Sequence, residues 1–246
     1  MEDTAQMIVD LEDPATWPDP IVASTQRWTE QLRGSTEFTP DLEVPLELEG
    51  EFCAHLAGRS LLLFHATRLF DHEVEAIESE GLRKLAFRLV EERIAVAHER
   101  GLLTNGERDQ CLSQNIYAIG NTEGRESQVC GVIGRGIFDN SEHLWGLRPF
   151  LGGWGGEAMH GGPGPHSDPL LQRLGRPTLV AAGLDIATAD ARIRPSLPRV
   201  FVGKALGLQD AFAAIYVFED LPASNILGVW QPGHPEYDAH RELPRD

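Results

Sequence analysis

Basic residues are scarce in this chain: 21 Lys and Arg stand against 38 Asp and Glu, leaving a formal charge of −17. A field of that sign opposes the long-range approach of DNA, RNA or an anionic membrane, so a nucleic-acid partner is not expected. The nearest approach to a basic feature, Arg192, Arg194 and Arg199, reads as a solvated loop. Cysteine is scarcer still. Cys53, Cys111 and Cys130 are widely spaced and odd in number, which excludes a disulfide scaffold and a CxxC metal site. They read as small buried hydrophobes in a reducing compartment. No run approaches the roughly 18 apolar residues of a membrane span. Met1, Glu2 and Asp3 open the chain with neither the basic nor the apolar region of an export signal, so the expected location is the cytoplasm, with no membrane partner.

Several motifs are also missing. Neither GxGxxG nor GxxxxGK[ST] occurs, which argues against a Rossmann or P-loop phosphate cradle, and no GxSxG elbow marks a serine nucleophile. The nine histidines include only loose pairs, His65 with His72, His160 with His166 and His234 with His240. None has the i, i+4 spacing of HExxH or a cysteine companion, and no metal is expected.

What is present describes a folded domain. Hydrophobic residues make up 41% of the 246, enough for one substantial core. Residues 1–45 are acidic and punctuated by Pro14, Pro18, Pro20, Pro40 and Pro45, which confine helix to about Ile21–Leu32; this reads as an N-terminal strap or extension over a core made elsewhere. Residues 46–232 read as a single domain of mixed strands and helices, and 233–246, with Pro235 and Pro244, as a C-terminal surface tail.

Within that domain, Leu61–Phe64 is a short, continuous apolar run that reads as a buried strand, ending in the polar residues His65, Thr67 and Arg68. Asp71 offers an N-cap to a helix carrying Val74 and Ile77, and Gly81 with Leu82 closes it. Helical spacing recurs over 84–100, and Thr104 with Glu107 has capping-box spacing for a further helix through Cys111. Asn115–Ile119 reads as a strand, followed by the turn-prone Gly120 and Asn121 and the apolar Val129–Ile133. Between Gly146 and Gly164 eight of nineteen residues are glycine, which predicts a loop. Thr178–Leu184, Val200–Val202 and Ala213–Phe218 read as strands, and Leu221–Ile226 as a turn into one more.

Three features carry candidate chemistry. His65, Thr67 and Arg68 set a ring nitrogen, a hydroxyl and a fixed positive charge at a strand end, which suits a ligand with hydroxyls and phosphates; the competing role is a histidine satisfied by a backbone carbonyl. Arg125 and Glu126 follow in a glycine-flanked turn. Glu157 closes the run Gly152-Gly153-Trp154-Gly155-Gly156-Glu157, where Trp154 supplies a ring for stacking and Glu157 a carboxylate for orienting a hydroxyl or for acid–base work; the alternative is a structural turn.

In order along the chain, the strand ending His65-Ala66-Thr67, the helix ending Glu80-Gly81-Leu82, the later Tyr117 and the closing Leu221-Pro222-Ala223-Ser224-Asn225-Ile226 resemble the ADP-ribosyltransferase-like superfamily over residues 60–230. The resemblance implies an α+β fold: a split, bent, mostly antiparallel β-core with helices packed after the first strand, holding NAD in a cleft. It implies that His65 contacts a ribose, that Thr67 supports it, that Tyr117 stacks on nicotinamide and that Arg68 reaches the pyrophosphate. The family's catalytic glutamate falls by position on Glu219, with Gln209 and Asp210 upstream, whereas local chemistry favours Glu157.

The expected function is NAD-dependent mono-ADP-ribosyl transfer, as by a bacterial toxin or effector, to a protein or small molecule, with a neutralising partner protein among the conceivable binders. The alternatives are a non-catalytic nucleotide- or protein-binding domain of the same fold, an NAD glycohydrolase, and a metal-independent hydrolase using Glu157 with His65 or His160.

Overall fold

The computed structural model describes residues 7–33, 46–139, 147–159, 168–208 and 211–245. They form an α+β protein with a mostly antiparallel sheet. Two compact units divide the chain: one draws on Met1–Phe64, Cys130–Ile137 and Ala182–Val217, the other on His65–Val129, Phe138–Ala181 and Phe218–Asp246.

The first unit begins with strand β1 (Ile8–Val9), then helix α1 (Asp19–Arg33) and helix α2 (Leu46–His55), which lead into strand β2 (Ser60–Leu69). Leu61, Leu62, Leu63 and Phe64 are all buried, as a continuous apolar strand requires. β1 pairs with β2 in parallel, Ile8 opposite Ser60 and Val9 opposite Leu61. Strand β4 (Val129–Ile133) lies antiparallel to β2, Phe64 opposite Val132. At Gly131 a Cβ would stand only 3.1 Å from the Phe64 carbonyl oxygen. Strand β5 (Arg176–Leu184) ends in this unit with Gly183 packed against Ser60.

Strand β6 (Ala191–Arg194), helix α8 (Leu197–Ala205) and strand β7 (Ala213–Val217) complete the unit, giving the strand order β6-β7-β4-β2. The helices α1, α2 and α8 pack together, with Trp17, just before α1, meeting Phe201 of α8 edge-on at 4.8 Å between centroids and Phe52 of α2 lying 5.8 Å from Phe201. Full burial of such side chains stabilises by about 1.5–3 kcal/mol each. Charge also holds Asp10 and Glu12 near the N-terminus. Arg135 donates to Asp10 at 2.9 Å and Lys204 pairs with Glu12.

Val200–Val202, which the sequence suggests as a strand, lies in α8. A three-residue apolar run has no period of its own. Ser196 before Leu197, with Pro198 in the first turn, is the helix-start signal, and Val200, Phe201 and Val202 are all buried on the helix.

The second unit takes up β2 at His65 and passes to helix α3 (Asp71–Glu80), strand β3 (Gly81–Leu82), helix α4 (Phe87–Glu99) and helix α5 (Asn105–Gln114). Asp71 is the first residue of α3 rather than its cap; the capping carboxylate is Glu73, which accepts from the Phe70 N–H at 2.9 Å. Thr104 and Glu107 form the expected capping box, with Glu107 accepting from the Thr104 N–H at 2.8 Å and Thr104 accepting from the Glu107 N–H at 3.3 Å.

The strand expected over Asn115–Ile119 does not form; those residues make turns. The Asn115 side chain donates to the carbonyls of Cys111 and Leu112 and accepts from the N–H groups of Tyr117 and Ala118. Four backbone groups are thereby satisfied locally, and the segment becomes a turn instead of a ladder. The short helices α6 (Arg148–Leu151) and α7 (Pro169–Gln172) and a 3-10 turn, Gly156–Ala158, lie within and after the glycine-rich stretch expected to be loop.

β5 begins in this unit, with Gly175 against the backbone of Leu69, and strand β9 (Ile226–Trp230) continues the order β2-β5-β9. Strand β8 (Leu221–Pro222) pairs antiparallel with β3, Gly81 opposite Pro222 and Leu82 opposite Leu221. The segment read as a tail carries helix α9 (Pro235–Asp238), whose Tyr237 is fully buried and donates its hydroxyl to the Pro244 carbonyl. Val90, Ile94, Cys111, Trp154, Met159 and Leu171 lie at the centre of this unit's core.

Candidate functional site

His65 is the first residue of β2 to escape full burial, immediately after Phe64. Thr67 and Arg68, further along the same strand, are buried. The Thr67 hydroxyl lies 3.5 Å from the Arg68 carbonyl. The Arg68 guanidinium donates to three carbonyls: Nε to Leu174 at 3.1 Å, Nη1 to Leu151 at 3.4 Å and Nη2 to Gly175 at 3.0 Å. A planar fork of five donors suits this task, since it can serve several oxygens from one rigid group. Where the resemblance implies a pyrophosphate contact, the Arg68 donors meet these backbone carbonyls.

Trp154 is likewise held by protein groups. Its ring is fully buried between Phe70, 5.2 Å away, and the Arg93 guanidinium, 5.3 Å away, while its indole N–H donates to Glu73 at 2.9 Å. The glycines around it let the chain fold closely over the ring. A Cβ on Gly155 would meet Met159 at 2.4 Å.

Tyr117, Arg125 and Glu157 are brought together by two neighbouring turns. The Ile116 N–H donates to the Ala158 carbonyl at 3.2 Å, joining the turn after α5 to Gly156–Ala158. Arg125 forms an ion pair with Glu157, each side chain one-third exposed, and the guanidinium lies 5.9 Å from the centre of the Phe150 ring. Tyr117 meets Phe87 edge-on at 5.5 Å and packs on the core that contains Trp154. Its hydroxyl is buried without a partner among the described residues. Burial pushes the phenol above its ordinary value of 10.0, and the nearby Glu126 charge adds to the effect.

Glu219 is exposed in the turn before β8. Lys84 holds both its neighbours: the backbone N–H donates to Asp220 at 2.8 Å, and Nζ lies 3.5 Å from the Phe218 carbonyl. Because β3 pairs with β8, this turn is fixed to the end of the helix that follows the His65 strand. His160, His166, Gln209 and Asp210 lie outside the described residues.

The buried group that sequence reasoning missed is Glu73. Burial pushes its carboxyl upward, but the Arg93 charge and hydrogen bond, with the N–H groups of Phe70 and Trp154, hold it below its ordinary value of 4.5. Its only sequence signal is capping-box spacing after Phe70, where the residue that precedes the helix is apolar. Burial, followed by the charges of Asp168 and Glu107, pushes the Cys111 thiol up to about 11, which disfavours the nucleophilic thiolate.

Among the described residues no three His, Cys, Asp or Glu side chains converge as metal ligands, and no helix is long and apolar enough to cross a membrane. His240 pairs with Asp139 at 2.9 Å, and His234 accepts from the Glu236 N–H at the start of α9. No protein-family model matches the chain, and neither the curated proteins nor the solved structures compared with it supply a match.

Proposed function

We propose that this protein is an NAD-dependent mono-ADP-ribosyltransferase of the α+β, ADP-ribosyltransferase-like kind. The observation that supports the reading is the antiparallel pair of Gly81 with Pro222 and Leu82 with Leu221. It joins the two ends of the sequence pattern, the helix stop after His65-Ala66-Thr67 and the Leu-Pro turn after Glu219. In this reading His65 contacts a ribose of NAD and Tyr117 meets nicotinamide. The bond from ribose C1′ to the nicotinamide nitrogen breaks, nicotinamide leaves neutral, and an acceptor oxygen, nitrogen or sulfur forms the new bond to C1′ as it loses its proton.

A carboxylate that stabilises the positive charge developing on the ribose must keep its own charge available. Glu157 shares its charge with Arg125, whereas Glu219 is exposed between residues held by Lys84. Glu219 therefore takes the catalytic role and Glu157 a supporting one. The acceptor is a protein or small molecule.

The test is incubation with NAD, following free nicotinamide and labelled ADP-ribose transfer for the wild type and for His65→Ala, Glu157→Ala and Glu219→Ala. Glu219→Ala is expected to lower nicotinamide release by about 100-fold or more, the scale for removing one electrostatic stabiliser. A greater loss in Glu157→Ala than in Glu219→Ala moves the catalytic role to Glu157. A second reading, a nucleotide-binding domain without transfer, draws on the burial of Arg68 and Trp154, which leaves fewer polar groups for chemistry. Saturable NAD binding without nicotinamide release selects it.

A further inference from the structure

Residues 190–199 carry three arginines and one aspartate, in a chain where acidic residues outnumber basic ones 38 to 21. The structure corrects their expected setting, since Arg192 and Arg194 lie on strand β6 and Arg199 in the first turn of α8. The register with β7 sets Arg192 opposite Tyr216 and Arg194 opposite Ala214, while Ala191 and Ile193 face the buried Val217 and Ile215. Both strand arginines are exposed on one face. Neither side chain makes a hydrogen bond or ion pair with another described residue, and β7 and β4 contain no charged residue. β6 is the last strand in its order, so among the described residues its second edge has no partner strand.

We propose that the β6 edge is a docking site for an extended acidic segment of a partner protein, which adds as a further strand. This inference does not rest on the transferase reading. The free N–H and C=O groups of the edge supply the hydrogen bonds, and side chains at alternate positions supply selectivity. Carboxylates at positions i and i+2 of the incoming strand lie beside Arg192 and Arg194, and the apolar residue between them covers the partly exposed Ile193. A second copy of the chain does not fit, because pairing two β6 edges sets arginines against arginines on one face. Nucleic acid fits less well than a peptide. It cannot complete a backbone ladder, and the −17 charge of the chain repels a polyanion beyond the local patch.

The test uses the full chain and a fluorescein-labelled peptide with the core Glu-Val-Glu-Ile-Glu, followed by anisotropy. Parallel arms use the same peptide with Lys for Glu, the same peptide N-methylated at alternate amides, and an oligothymidylate. Saturable binding of the acidic peptide is expected, weakened by about tenfold or more in Arg192→Glu/Arg194→Glu, retained in Arg192→Lys/Arg194→Lys, and lost on N-methylation. Because both side chains are exposed, circular dichroism and thermal melting of the two double variants are expected to match the wild type. No saturation by about 1 mM peptide, equal binding by the charge-reversed variant, or equal binding of the N-methylated peptide or the oligothymidylate would each overturn the proposal.

Discussion

The Arg93 Nε donates to Glu73 Oε1 at 2.6 Å, and the two side chains, 20% and 10% exposed, join helices α4 and α3 beneath the Trp154 ring. The other Glu73 oxygen accepts from the Phe70 N–H and the Trp154 indole. Removing either member leaves a buried charge without its counterpart, which costs about 3–5 kcal/mol. Glu73→Ala and Arg93→Ala are each expected to lower stability by that amount in chemical denaturation. The double variant is expected to lose less than the sum, which a double-mutant cycle measures.

The same pair sets an acid limit. With the Glu73 carboxyl held below 4.5 in the folded chain, its contribution is fully present above that value and is lost as pH falls through the lower folded value. Stability of the wild type is expected to fall more steeply below pH 4.5 than that of Glu73→Gln, as followed by urea titrations across pH 3 to 6.

Gly81 is where β3 meets β8, and its φ of +96° combines with a close approach: an added Cβ would stand 2.0 Å from the Leu221 carbonyl oxygen. Gly120 has a φ of +71° with open space around it. Gly120→Ala is therefore expected to cost only the left-handed penalty of about 1–2 kcal/mol. Gly81→Ala is expected to cost distinctly more, because backbone must move as well. Thermal melts of the two variants separate the terms, and loss of nicotinamide release in Gly81→Ala at a temperature where it remains folded is the expected consequence of a displaced Glu219 turn.

Where a segment carried its own period or cap, the fold was legible in the sequence. The apolar run of β2, the Thr104–Glu107 box and the glycine stop at Gly81 each have a local cause, and each stands where expected. The errors share one physical origin, local side-chain bonds and helix-start signals that override the pattern of a short segment. Asn115 converts an apparent strand to a turn through four side-chain bonds, and Val200–Val202 is helical because Ser196 and Pro198 start α8 before it. At the candidate site the residue types were legible but their direction was not. Arg68 and Trp154 look like ligand contacts in a linear sequence, and only the three-dimensional packing shows the carbonyls and carboxylate that already occupy them.

Arg68 gives a test of that distinction. Among the described residues its guanidinium donates to the carbonyls of Leu151, Leu174 and Gly175, and a lysine, with a single ammonium, cannot reach them from one planar group. Arg68→Lys is expected to lose about 3 kcal/mol of stability, the scale for stranding a buried carbonyl or two. Below its melting temperature the variant is expected to bind NAD with unchanged affinity, as calorimetric titration would show; a large loss of NAD affinity with stability intact would return Arg68 to the ligand.

Tyr117 separates a ring from its hydroxyl. The phenol oxygen is buried without a partner among the described residues, a state that costs about 1–3 kcal/mol for a polar group removed from water. Removing the oxygen while keeping the ring leaves the edge contact with Phe87 intact. Tyr117→Phe is therefore expected to be as stable as the wild type or more stable by about 1 kcal/mol, whereas Tyr117→Ala loses the ring's packing and about 3 kcal/mol. Nicotinamide release discriminates further. If the ring stacks on the base, Tyr117→Phe retains turnover and Tyr117→Ala loses it, because stacking requires only the π face. Loss of turnover in Tyr117→Phe with the melting temperature unchanged or raised would instead assign the hydroxyl a bond to the bound dinucleotide, and the unpaired oxygen would then be a group waiting for its ligand.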